Sequence, residues 1–92
     1  MAFSLIWHEK LLKDFKSINV EDAERIKERI KKYLALNPEI LGKPLKGMFK
    51  GLFSYRIGVY RVIYTVDRAE NAIRILHVKH RKDAYKRDFE IF

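Results

Sequence analysis

The chain has no cysteine and no glutamine, and only two prolines, four glycines and one tryptophan in 92 residues. Without cysteine there is no disulfide staple and no thiolate zinc site, a pattern that suits a reducing compartment. No apolar run approaches the roughly 20 residues that a membrane-spanning helix needs. The start Met1-Ala2-Phe3-Ser4 lacks the basic residues and long apolar segment of a secretion signal. The expectation is a soluble, cytoplasmic chain that engages no membrane. Missing glutamine beside abundant Lys, Glu and Arg is a bias shared with thermophilic proteins. What is present is 48% hydrophobic content with six Phe and five Tyr, enough to fill one small core and not two. A single domain over residues 1–92 follows. The 35% charged content is mixed in sign and interleaved with apolar positions, which argues against disorder.

Acids are scarce in one half only. Residues 1–42 carry eight Lys/Arg against seven Asp/Glu, whereas residues 43–87 carry twelve against three, a net of +9. Residues 88–92 return −2, for a whole-chain charge of +8. A nearly balanced half joined to a strongly basic one points to a face that attracts polyanions. The plain alternative is a well-solvated surface.

Hydrophobic spacing divides the chain. Phe3, Leu5 and Trp7 alternate with Ala2, Ser4 and Ile6, which predicts a strand over 2–7. Leu11, Leu12, Phe15 and Ile18 then fall at helical spacing, for a helix over 8–18, with His8 at its solvent edge. Asn19 followed by Val20-Glu21-Asp22 is a helix start. Ala23, Ile26, Ile30, Tyr33 and Leu34 predict one apolar stripe on a helix over 20–36, closed by Asn37-Pro38. The short link between the helices predicts a hairpin packed on a sheet. Residues 39–51, with Pro44, Gly42, Gly47 and Gly51, read as one long loop. Alternation returns over 53–57, 60–66 and 72–79, a three-strand meander turned at Gly58-Val59 and at 67–71. The fold class is α+β: a small, mainly antiparallel twisted sheet in the order β-α-α-β-β-β, with the helix hairpin on one face. The opposite face is expected to hold a shallow concave site. The tail from Arg87 to Phe92 is apolar enough to pack back or to await a partner.

Chemistry concentrates on the basic half. Arg56 and Arg61 flank the Gly58-Val59 turn, and guanidinium forks match phosphate oxygens bidentately without losing charge. The run from His77 to Tyr85 adds cations, two imidazoles and a phenol. If the strands are neighbours, the two clusters meet at one edge of the sheet as a phosphate site. The resemblance set out below implies RNA as the substrate, and cleaving RNA through its own 2′-hydroxyl needs a base for that hydroxyl, charge stabilisation at phosphorus, and a proton for the 5′-oxygen. Arg56 and Arg61 can supply the second, where losing one donor costs roughly a hundred- to thousand-fold. His80 is the candidate proton carrier. His77 reads instead as a sheet residue with a hydrogen-bonded ring. Tyr85 can stack on a base. Lys43, Lys46, Lys50, Lys79 and Lys82 complete a nucleic-acid footprint. A His/His zinc site lacks a third ligand, so neither metal nor cofactor is expected.

Pro44-Leu45-Lys46-Gly47, the block from Tyr55 to Tyr64, and His80-Arg81-Lys82-Asp83-Ala84-Tyr85 together resemble the three signature blocks of RelE-type toxins, in the RelE/ParE superfamily. The likeness spans nearly the whole chain. It implies the toxin of a toxin–antitoxin module: a ribosome-dependent mRNA endonuclease (mRNA interferase) that cuts in the A site and arrests growth. It also implies an acidic cognate antitoxin, with a heterotetramer among the assemblies open to the pair. By position, Arg61 matches an arginine that holds the scissile phosphate. Arg81 matches one that stabilises the leaving group or transition state, Tyr85 a tyrosine that orients the base, and Lys46 a backbone-contacting cation. The strand Leu52–Ile57 departs from the pattern. Arg56 is its only cation, so a lysine general base does not transfer. ParE-type relatives share the fold but poison DNA gyrase, and that reading stays open as the alternative.

Overall fold

The computed structural model describes residues 3–80. Strand β1 (Ser4–Trp7) leads into α1 (Glu9–Lys16) and α2 (Val20–Arg29), which runs on as a π-helical turn, Ile30–Leu34. A short helix α3 (Pro38–Leu41), a two-residue strand β2 (Lys43–Pro44) and a 3-10 turn (Gly47–Phe49) precede the strands β3 (Phe53–Ile57), β4 (Tyr60–Asp67) and β5 (Ala72–His80). The sheet order is β1-β5-β4-β3-β2. Three pairings are antiparallel and β1 lies parallel to β5; the helices carry the chain from β1 at one edge of the sheet to β2 at the other.

Local chemistry accounts for the helices. The His8 ring nitrogen Nδ1 accepts the Lys10 N–H at 3.1 Å and caps α1. Asn19 Oδ1 accepts the Asp22 N–H at 2.8 Å and caps α2, whose first turn carries Glu21 and Asp22 against the positive end of its dipole. Leu11, Ile26, Ile30 and Leu34 bury against Ile57, Val62, Tyr64, Ile73, Ile75 and Val78 of the sheet. Each such side chain contributes roughly 1.5–3 kcal/mol.

Two stripe positions come out differently from their spacing. Leu12 is 62% exposed, and position 14 takes its place on the buried side of α1. Tyr33 is 51% exposed with its ring 5.8 Å from the Arg29 guanidinium carbon, while Leu34 and Ala35 turn inward. The cause is the π turn, closed by Ala35 N–H to the Ile30 carbonyl at 2.9 Å. One extra residue in the turn rotates the stripe that follows it.

The segment expected to be a loop is largely built. Asn37 and Pro38 start α3, β2 pairs with Phe53 and Ser54, and Leu45 N–H bonds the Leu52 carbonyl at 2.9 Å. Leu45, Phe49 and Leu52 then close over Ile63 and Leu76, a second apolar cluster on the face away from the helices. That face is therefore partly roofed rather than openly concave. Gly42 is the hinge of this arrangement: a Cβ there would overlap the hydroxyl of buried Tyr64, which donates to the Pro38 carbonyl. Burial pushes that phenol's pKa far up, with the nearby Tyr55 and Glu39 acting in the same direction.

Candidate functional site

The β3–β4 hairpin turns at Gly58, which has φ +60 at the first central position, as a two-residue II′ turn requires. Tight closure puts Arg56 directly opposite Arg61, and Arg61 in turn lies opposite Lys79 of β5. Directly opposed residues share a face. Three cations thus stand abreast on three adjacent strands, on the face that also carries the roof of Leu45, Phe49 and Leu52. Arg56 is exposed and its Nε–H donates to the Gly58 carbonyl at 3.3 Å, which draws its head group toward the turn. Arg61 is half-buried. Lys46 and Lys50 are exposed on the roof segment, and Lys43 is exposed on the edge strand β2.

A bulge decides which part of β5 joins this row. Tyr64 is opposite Ile75, yet Ile63 is opposite His77, so Leu76 is an extra residue. From there on the alternation is inverted. Val78 enters the core beneath the helices, and Lys79 arrives beside Arg61. His80 falls opposite Tyr60, its ring edge-on at a centroid distance of 5.7 Å. The Tyr60 hydroxyl donates to Asp22 Oδ2 of α2 at 3.0 Å, so Tyr60 and His80 belong to the helix-bearing face. Burial, and then that carboxylate, raise the Tyr60 pKa. The structure does not bring His80 to the arginine row. Arg81, Lys82, Tyr85 and the Arg87–Phe92 tail lie outside the described residues.

The row has an acidic anchor that the reading of the sequence missed. Asp14 of α1, 7% exposed, reaches β5 beyond the end of β1. Its Oδ2 accepts the Val78 N–H at 3.1 Å and sits 2.9 Å from His77 Nδ1. Its Oδ1 accepts from Lys79 Nζ at 2.9 Å. His77 is thus a hydrogen-bonded sheet residue. Burial raises the Asp14 pKa, but the bonds from His77, Lys79 and Val78 outweigh it and hold the carboxyl below its ordinary value. A signal was there to read: 11, 14, 15 and 18 are the i, i+3, i+4 and i+7 positions of the apolar stripe, so Asp14 is an acid on a core face. A separate groove of about 320 Å³ runs between α1 and α2, lined by Trp7, Leu11, Leu12, Phe15, Lys27 and Lys31; it belongs to the helical layer, not to the row.

An open row of guanidinium and ammonium groups beside a basic roof suits a phosphate chain better than a small enclosed ligand. A family model described as the ParE toxin of the type II toxin–antitoxin system, parDE, matches residues 5–85, and the chain belongs to that family. Its relatives bear out the resemblance to the RelE/ParE superfamily. The toxin RelE of Mycobacterium tuberculosis is 42% identical over 50 residues, 54% of this chain and 52% of that protein. The toxin RelG of the same organism is 43% identical over 54 residues, 59% of this chain and 62% of that one. The match spans only about half to three-fifths of these relatives' length. Among solved structures, the toxin–antitoxin complex RelBE2 from Mycobacterium tuberculosis superposes with a TM-score of 0.84 at 26% identity, over 87% of this chain and 99% of that one. The archaeal RelE–RelB complex from Pyrococcus horikoshii gives 0.68 at 28% identity, over 91% and 100%. A mutant of the E. coli toxin RelE in the free state gives 0.75 at 21% identity, over 99% and 95%, a likeness of fold alone.

Proposed function

We propose that the chain is an mRNA endonuclease that works on the ribosome, acting as a single cytoplasmic domain over residues 1–92 and silenced by an acidic antitoxin. The observation that carries this reading is the in-register pair Arg56–Arg61 on the face shared with the basic roof segment. In the reaction, the 2′-hydroxyl of the RNA attacks the adjacent phosphorus, the bond to the 5′-oxygen breaks, and a 2′,3′-cyclic phosphate and a 5′-hydroxyl result. Arg61 holds the non-bridging oxygens and Arg56 shares the charge that builds on them, a fixed electrostatic contribution that needs no rearrangement during the step. Arg81 and Tyr85 take the roles that the resemblance assigns, leaving-group stabilisation and base orientation. Lys43, Lys46 and Lys50 track the RNA backbone. His80 has no part, since it shares a face with Tyr60. The protein supplies positioning and charge, and the ribosome supplies the geometry that aligns the 2′-hydroxyl with the bond to be broken.

The named RelB–RelE complexes among the structural relatives support an antitoxin partner. The match to the ParE family model favours a second reading, a gyrase poison that leaves RNA intact. Primer extension on cellular mRNA after induction separates them. Discrete codon-positioned cuts are expected. Intact mRNA accompanied by gyrase-trapped DNA breaks would replace the first reading with the second.

A further inference from the structure

The arginine row leaves the groove between α1 and α2 unused. Leu11, buried, lies at its base with Trp7 and Phe15, whose rings stand 6.4 Å apart by centroid. Leu12, 62% exposed, lines it from α1. Lys27 and Lys31 line it from α2 and the π turn that continues α2, about one helical turn apart. Lys27 Nζ stands 4.9 Å from the Phe15 ring centroid and 3.8 Å from Glu24. That exposed ion pair holds little, and an ammonium with three donors can take a second carboxylate. An apolar trough bordered by two cations fits a segment that alternates acidic and apolar residues.

This chain carries such a segment. Asp88-Phe89-Glu90-Ile91-Phe92 interleaves two acids with three apolar side chains. It lies outside the described residues and past 5–85, the stretch that the family model matches. The end of β5 is bonded to α1 beside the groove, because Asp14, the neighbour of Phe15, accepts from the Val78 N–H and from Lys79 Nζ. Residues 81–88 can span roughly 26–29 Å when extended, against roughly 12 Å for the whole of α1. We propose that residues 88–92 dock in this groove, Phe89 and Ile91 on Leu11 and Phe15, with Asp88 and Glu90 against Lys27 and Lys31. A tethered segment meets its groove at a roughly millimolar effective concentration, which a free competitor must overcome. Docking fixes residues 81–87 at both ends, and Arg81 and Tyr85 lie among them. It does not rest on the RNA-binding reading.

Trp7 is the chain's one tryptophan and lines the groove, so its fluorescence reports occupancy. Acrylamide quenching is compared for the full wild-type chain, Asp88→Lys/Glu90→Lys, Lys27→Glu/Lys31→Glu, and all four changes together. Either double reversal is expected to raise quenching and shift Trp7 emission to the red. The fourfold variant is expected to return both toward wild type. Quenching that the tail reversal leaves unaltered, or a fourfold variant no better shielded than either double, overturns the proposal. Shielding that falls as the wild type is diluted overturns it too, by making a second copy the occupant. Should a reversal unfold the chain, Leu12→Cys/Ile91→Cys decides, since the sequence offers no competing thiol. Mild oxidation of the dilute protein is expected to join the two thiols within one chain. The bond should form faster than in Ile40→Cys/Ile91→Cys, where position 40 is 82% exposed on α3. Equal rates, or a bond between chains only, overturn the docking.

Discussion

Arg61 and Asp14 illustrate two ways a single residue becomes visible. Arg61 was legible because a turn signal fixes its neighbours: Gly58-Val59 between alternating runs sets Arg56 and Arg61 opposite each other. Asp14 went unseen because a helical acid reads as solvated until its partners on a distant strand are known, although its stripe position marked it. Its contribution should show in pH dependence. The folded-state pKa is lowered, so the stabilisation is fully present above the ordinary carboxylate value of about 3.9 and is lost as pH falls through the lower folded value. Urea midpoints of wild type and Asp14→Asn should therefore differ by a constant amount above about pH 5 and converge in more acid solution. A gap that stays constant down to pH 2 would show that Asp14 is not held charged. Gly42 supplies a purely steric counterpart. Gly42→Ala should cost about 1–3 kcal/mol by urea denaturation, because a methyl group must displace the Tyr64 hydroxyl or α3. An unaltered midpoint would mean that the contact relaxes without cost.

At the scale of elements, regular periodicity carried the helices, the meander and the edge strand β1, because side-chain burial and period are the same fact seen twice. What escaped were the irregular insertions. The π turn at Ile30–Leu34 sends Tyr33 outward, and the bulge at Leu76 inverts the second half of β5. Each is one residue long, too short to alter a periodic pattern, yet each reassigns every side chain beyond it. The bulge bears directly on the site: without it, His80 would share the arginine face and Val78 would leave the core. Deleting Leu76 removes only the extra residue, so Val78 should stay opposite Val62 and Lys79 opposite Arg61, and the variant should still unfold cooperatively, weakened by the loss of Leu76 from the second cluster. Leu76→Ala keeps the bulge and only trims the second cluster, and should cost about 1–2 kcal/mol. Thermal melts of the two variants test this, and a deletion variant that loses its cooperative transition would contradict the register. The roof over residues 45–52 was hidden for a different reason. Glycine and proline mark it as loop, and only the tertiary contacts of Leu45, Phe49 and Leu52 with Ile63 and Leu76 make it structure.

For the whole molecule, the uneven charge was the most readable property, and the fold converts it into a face. Lys43, Lys46 and Lys50 border the arginine row, whereas Lys31 and Lys32 lie on the helical layer, where Lys32 is paired with Glu28 at 2.6 Å. Reversing Lys43, Lys46 and Lys50 to Glu should weaken ribosome binding far more than reversing Lys27, Lys31 and Lys32, and should flatten its salt dependence. Equal losses would show that net charge, not its placement, drives the encounter. On the proposed function, Arg61 holds the phosphate being cut. Its most direct test is single-turnover cleavage of a labelled mRNA on programmed ribosomes by wild type and Arg61→Ala, with ribosome affinity and melting temperature measured on the same samples. Cleavage by Arg61→Ala is expected to fall by about a hundredfold or more, with the melting temperature close to wild type and ribosome binding reduced far less than the rate. A folded Arg61→Ala protein that cuts at the wild-type rate would contradict it.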